Sequence, residues 1–264
     1  MAVEGHAGRG WVVAVTITDA LGLVTVGVAA GLVSTVVSLA SIVSYPALLA
    51  FGLSPLSANV TNTVSLVFTA LGAAAGSRPE LAGQSGRLLP LGTMSMAGGV
   101  VGAALLLVTP SRMFEMIAPC LIAAASLLLF RPPRPDGSAD APGGGGNRLL
   151  RAGVFAVAMY VGYFGAAGGI LMFAVLASMV REAPVRLNAF KNVLSGLANA
   201  VAAIGFAVFG PVQWAAVLPL AAGFLVGGRL GPVLARRLPG ASLRYAAAVC
   251  GLLVAAKLGL DAYR

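Results

Sequence analysis

Tyr160-Val-Gly162-Tyr163-Phe164-Gly165-Ala-Ala-Gly168-Gly169-Ile170-Leu171 is the stretch on which the fold turns. It lies inside an apolar run from Val154 to Val180. Glycine admits backbone angles that a Cβ forbids, so clustered glycines in such a run predict a broken helix. Hydrocarbon cannot satisfy the N–H and C=O groups that a break frees, so the break must face protein or a wet cavity. Interrupted helices are also where secondary transporters hold their substrates. The competing reading is close packing, in which Gly162, Gly165, Gly168 and Gly169 only let a neighbouring helix approach. Both readings stand on this stretch alone; a second, degraded copy earlier in the chain favours the break.

Around it the chain is overwhelmingly apolar. Hydrophobic residues make up 59% of the 264 and charged residues 9%, with a mean hydropathy of +0.95. A soluble chain carries about a quarter charged residues, so the composition predicts an all-α polytopic membrane protein. The apolar runs are continuous, which excludes the alternating segments of a transmembrane barrel. The net charge of +9 falls between apolar runs, where topology signals and anionic lipid account for it without nucleic acid. Cys120 and Cys250 lie in apolar segments and are read as packing residues. His6 is the single histidine, so no metal cluster can be assembled around it.

The first run, Trp11 to Phe51, is too long for a signal-peptide core and is expected to stay as a membrane anchor. Gly31, Ser34, Thr35, Ser38, Ser41 and Ser44 crowd its middle, and Tyr45-Pro46 follows. Residues 131–148 are rich in Pro and Gly and read as a flexible linker between an N-terminal membrane repeat, 11–130, and a C-terminal one, 149–264. The repeat is visible in residues. Leu89-Pro90-Leu91, Gly98-Gly99-x-x-Gly102 and Pro110 recur as Leu218-Pro219-Leu220, Gly227-Gly228-x-x-Gly231 and Pro239, shifted by 129. A shift of 130 places Asn62 on Asn192 and Ser65 on Ser195, and a shift of 131 places Gly31 on Gly162.

Charge then chooses between topologies. If Trp11–Phe51 and Leu149–Val180 are each a hairpin, the loops with Arg78/Arg87, Arg131–Arg151, Arg181–Lys191 and Arg236–Arg244 share one side. That gives five crossings or part-crossings per half, within 8–10 helical segments in all; the odd count makes the repeats inverted in topology, and the second hairpin is short enough to be re-entrant.

Polar residues within apolar spans need a partner or a cavity. Asn62 with Ser65, and Asn192 with Ser195, lie one turn apart on a helix face and present N–H and O–H donors. Both pairs are placed at helix starts, where free amides and a positive dipole suit an oxyanion. The alternative use of such residues is helix–helix glue. Lys191 could supply positive charge or snorkel to an interface. Asp19 could relay a proton or sit at the bilayer edge. The candidate substrate-binding residues are therefore Asn62, Ser65, Gly165, Gly168, Gly169, Lys191, Asn192 and Ser195. No nucleophile, acid–base pair, metal-ligand spacing or nucleotide loop is present, so no enzyme activity, cofactor or resident metal is expected.

Gly162-Tyr-Phe-Gly165-Ala-Ala-Gly168-Gly169-Ile, Asn188-Ala-Phe-Lys-Asn192-Val-Leu-Ser195, Gly210-Pro-Val-Gln-Trp214 and Gly223-Phe-Leu-Val-Gly-Gly228-Arg-Leu-Gly231 resemble the sulfite exporter TauE/SafE (TSUP) permeases. The resemblance extends over both halves. It departs at Ser34-Thr-Val-Val-Ser38, where the family shows glycines, and at Lys191-Asn192, where a threonine or serine is more usual. It implies a permease in a bacterial cell membrane, moving a small sulfur-containing anion such as sulfite, a sulfonate or thiosulfate by alternating access. A proton or sodium gradient would drive it. A non-transporting membrane scaffold, or a permease for another small anion, is the alternative, and a scaffold predicts a packed middle with no cavity.

Overall fold

The computed structural model describes residues 16–37, 40–128, 145–165, 168–235 and part of 249–260. His6, Trp11, Ser38, the linker up to residue 144, the loop 236–244 and Cys250 lie outside the described residues. The described chain is helical: α1 (Ile17–Val37), α2 (Ala40–Ala50), α3 (Pro55–Gly76), α4 (Arg78–Leu81), α5 (Ser85–Val108), α6 (Ser111–Leu128), α7 (Gly145–Tyr163), α8 (Gly168–Met179), α9 (Pro184–Phe209) and α10 (Trp214–Ala235). Five of these, α1, α3, α5, α9 and α10, are long and apolar enough to cross a membrane. Local sequence sets the ends. Ser54 caps α3 by accepting from the Ser57 N–H, and Pro55 opens that helix as Pro184 opens α9, a position where the missing proline N–H costs nothing.

Both predicted breaks are present, and each makes a hairpin. Gly22 on α1 faces Phe51 just past α2, and Gly153 on α7 faces Val175 on α8, so the second helix folds back along the first. The two legs of each hairpin are unequal. In the first half a 21-residue helix, α1, is followed by an 11-residue one, α2, and in the second 19 residues of α7 precede 12 of α8. At 1.5 Å per residue, α1 extends ~31 Å and α2 ~16 Å, so the return leg reaches about half-way. The last residues of the stretch read as linker belong to α7.

The halves interlock instead of standing side by side. α10 packs against α1 and α3, α5 packs against α7 and α9, and α3 meets α9 between them. Glycine makes the closest of these contacts. A Cβ on Gly31 would lie 3.0 Å from the Gly227 Cα, and one on Gly162 would lie 3.0 Å from the Gly99 Cα. Backbones this close gain dispersion contacts that any larger residue would abolish.

The direction of each helix follows from its contacts. Along α10, Gly223, Gly227 and Gly231 meet Val24, Val28 and Thr35 of α1 in turn, so α1 and α10 are parallel. Along α5, Gly98 and Gly102 meet Phe155 and Met159 of α7, so that pair is parallel as well. Arg87 at the start of α5 bonds Glu182 just before α9 at 2.8 Å. Loops carrying Arg78/Arg87 and Arg181/Arg186 therefore share one end of the molecule, as the charge pattern required. α7 starts at that end and α1 at the other, and the repeats are inverted.

Packing also corrects the repeat register. Gly98 meets Ala158 and Met159 where Gly227 meets Gly31 and Leu32, so Gly31 corresponds to Ala158 and not to Gly162. Gly99 meets Ala198 where Gly228 meets Thr69, so α3 and α9 match at 129 and Asn62 corresponds to Lys191 rather than to Asn192. Glycines recurring at four-residue intervals let the first alignment slip by one turn, and the second slips by a single residue; backbone contact reveals both.

Candidate functional site

α9 and α3 supply the polar side chains of the site, and the two hinges supply its ends. A cavity of about 60 Å³ lies among them, lined by Ser34, Ala40 and Ser41 at the first hinge, Gly165 and Gly169 at the second, Thr69 of α3, and Lys191, Asn192, Ser195 and Asn199 of α9. Since a water needs roughly 10–15 Å³ by this measure, the space suits a few waters or one compact ion.

The lining carries several donors and no carboxylate among the described residues. Lys191 is 2% exposed and is the one charged residue lining the cavity among the described residues. Asn192 Nδ2, Ser195 Oγ and Thr69 Oγ1 are buried with no hydrogen-bond partner among the described residues. An unpaired buried polar group costs ~1–3 kcal/mol, which a bound acceptor would recover. α2 and α8 both begin beside the cavity, and first-turn amides of a helix lack partners within it and carry the positive end of the dipole. At the second hinge Gly165 has φ +74°, a left-handed conformation that a Cβ penalises.

Of the residues singled out from sequence, Gly165, Gly169, Lys191, Asn192 and Ser195 come together on this cavity. Gly168 is buried at the start of α8, where a side chain would run into Val161. Asn62 and Ser65 are not among the lining residues. Asn62 accepts from Ser44 Oγ at 2.6 Å and donates to Ser41 Oγ at 3.1 Å, while Ser65 Oγ donates to the Thr61 carbonyl at 2.9 Å. Neither asparagine sits at a helix start: Asn62 and Asn192 lie about two turns inside α3 and α9. The nearby helix starts are those of α2 and α8. Sequence reasoning missed Thr69 and Asn199. Their signal was positional, since Thr69 follows Asn62 by seven residues and so returns to the same helix face.

The remaining polar candidates have local duties. Asp19 is exposed and accepts from the Thr16 N–H at 3.0 Å and hydroxyl at 2.7 Å, a cap at the start of α1. Cys120, expected to pack, is exposed on α6. Beside Gly165, Phe164 is wedged by Tyr45 of α2 and Phe114 of α6, with ring centroids at 6.0 and 5.7 Å, which fixes the second hinge against the first half. At the charged end, Glu182 takes Arg186 at 2.7 Å as well as Arg87. The hydrogen bond from Arg186, then the charges of both arginines, hold the Glu182 carboxyl below the usual range.

No curated protein and no solved structure matches the chain. One family model does, over residues 23–258 and hence across both repeats. With a helical, inverted-repeat membrane fold and a buried donor-lined cavity between two hinges, the chain belongs to the sulfite exporter TauE/SafE family.

Proposed function

We propose that this protein is a permease that carries a small sulfur-containing anion, of the sulfite, sulfonate or thiosulfate class, through the cavity between the hinges. The observation that carries the reading is convergence: Lys191, Asn192 Nδ2, Ser195 Oγ and Thr69 Oγ1 meet in one buried space beside two helix starts. Such a space offers several donors and a cation to an oxyanion, and its lining has no carboxylate among the described residues. Thr69 belongs to the first repeat and Lys191 to the second, so relative movement of the repeats would assemble and dismantle the site, as alternating access requires. The basic loops would face the cytoplasm of a bacterial cell, and a proton or sodium gradient would drive turnover. A scaffold role predicted a packed middle, and the cavity speaks against it.

The test is flux of labelled sulfite, thiosulfate and a small sulfonate in reconstituted vesicles. Lys191→Met should lower flux of the true substrate by about thirtyfold or more, the cost of stranding a buried charge without its partner. Wild-type flux in that variant would remove the site from the transport path.

A further inference from the structure

Two hydrogen bonds cross between the halves at matching places, and none of their four residues lines the anion cavity. Asn59 Nδ2 donates to the Tyr163 carbonyl at 3.2 Å, and Asn188 Nδ2 donates to the Thr35 carbonyl at 3.0 Å. Each asparagine stands one turn inside a helix that opens with proline, Pro55 or Pro184. Each acceptor lies in the last turn of the long hairpin helix of the other half. Last-turn carbonyls have no partner in their own helix, and within a bilayer they must find one. The first repeat therefore caps the hinge of the second, and the second caps the hinge of the first.

The two caps lie on opposite sides of the cavity, one toward each end of α5. Tyr163 reaches Thr109, just past the end of α5, with its hydroxyl at 3.5 Å. Asn188 follows Arg186, which shares Glu182 with Arg87 at the start of α5. α5 has 24 residues, or ~36 Å of rise between those ends.

We propose that Asn59 and Asn188 are paired gate-positioning residues. Release of Tyr163 by Asn59 frees the second hinge and opens the cavity toward the Thr109 end. Release of Thr35 by Asn188 frees the first hinge and opens it toward the Arg87–Glu182 end. The idea rests on the permease reading for its need of two openings, but it can be measured without any substrate.

Ser195→Cys, in a background with Cys120→Ser and Cys250→Ser, places a reporter thiol in the cavity. A membrane-impermeant thiol reagent is applied to one face, then the other, of sealed vesicles of known orientation. Asn59→Ala should raise labelling from the Thr109 face about fivefold relative to the other face, the weight of one lost hydrogen bond. Asn188→Ala should shift the ratio by a similar factor in the opposite direction. Should an alanine variant not survive purification, Asn→Ser at the same position retains a weaker donor and should shift the ratio the same way by less. Shifts in the same direction for both sites, or unchanged ratios, would overturn the proposal and leave the asparagines as plain helix caps. If flux fails for every anion tried while the opposed labelling shifts remain, the transport reading falls and the gate assignment stands.

Discussion

At the first hinge the polar side chains close on one another, whereas at the second they are left open. Asn62 of α3 is bonded to Ser41 and Ser44 of α2. In the register set by packing, its counterpart is Lys191 of α9. Lys191, Asn192 and Ser195 line the cavity, and the Asn192 amide and the Ser195 hydroxyl have no hydrogen-bond partner among the described residues. Asn62 and its serines thus form a satisfied contact, while the open donors, Thr69 of α3 among them, are drawn from both repeats.

That contrast can be broken by exchanging the expected phenotypes. Asn62→Ala should destabilise the protein by about 1–2 kcal/mol by removing its hydrogen bonds with Ser41 and Ser44, with flux of the surviving protein close to wild type. Asn192→Ala, which removes a donor that has no partner, should leave the melting temperature nearly unchanged and cut flux about tenfold. Melting in detergent and vesicle flux measured on the same preparations decide the matter, and the reverse pattern would erase the distinction between support and site. A smaller effect sharpens the picture of the second hinge. Gly165→Ala forces a Cβ into the left-handed region and should cost about 1–2 kcal/mol, while Gly165→Asn should cost less, because asparagine tolerates that conformation. Equal melting temperatures for all three proteins would mean that the hinge does not depend on this glycine.

The smallest expected effect concerns the charged end near the Asn188 cap. Glu182 has a folded-state pKa lowered by Arg186 and Arg87, so its contribution is full above the ordinary glutamate range and is lost as pH falls through the lowered value. Its arginine partners are 48% and 40% exposed, so solvent screening limits the contribution to about 0.5 kcal/mol. Glu182→Gln should accordingly flatten the acid limb of the melting profile slightly and leave stability at high pH lower than wild type by that amount. Coincident profiles above and below the carboxylate range would show the three charges to be independent.

Much of the fold was legible because hydrophobic thickness, glycine and proline act locally. Apolar runs of about twenty residues announce spans, a glycine cluster announced the second hairpin and its degraded, hydroxyl-rich copy the first, and with both hairpins in place the basic loops group on one side. Gly165, Gly169, Lys191, Asn192 and Ser195 were legible too, since hydroxyl, amide and ammonium groups inside apolar helices need a reason to be there. Thr69 was passed over because a threonine in a helix usually bonds its own backbone, and nothing in its neighbours marks it as unpaired.

The chain by itself thus determined a duplicated, helical membrane protein whose first segments turn back. Those are consequences of side-chain solubility and backbone freedom, properties each residue carries with it. Tertiary structure alone decided which polar groups satisfy one another and which remain open. It set the register between the repeats, turned Asn62 inward to its serines, and crossed Asn59 and Asn188 to the opposite hinges. Those outcomes depend on distances between helices far apart in sequence, where a shift of one residue, a rotation of about 100°, exchanges a partner for a cavity.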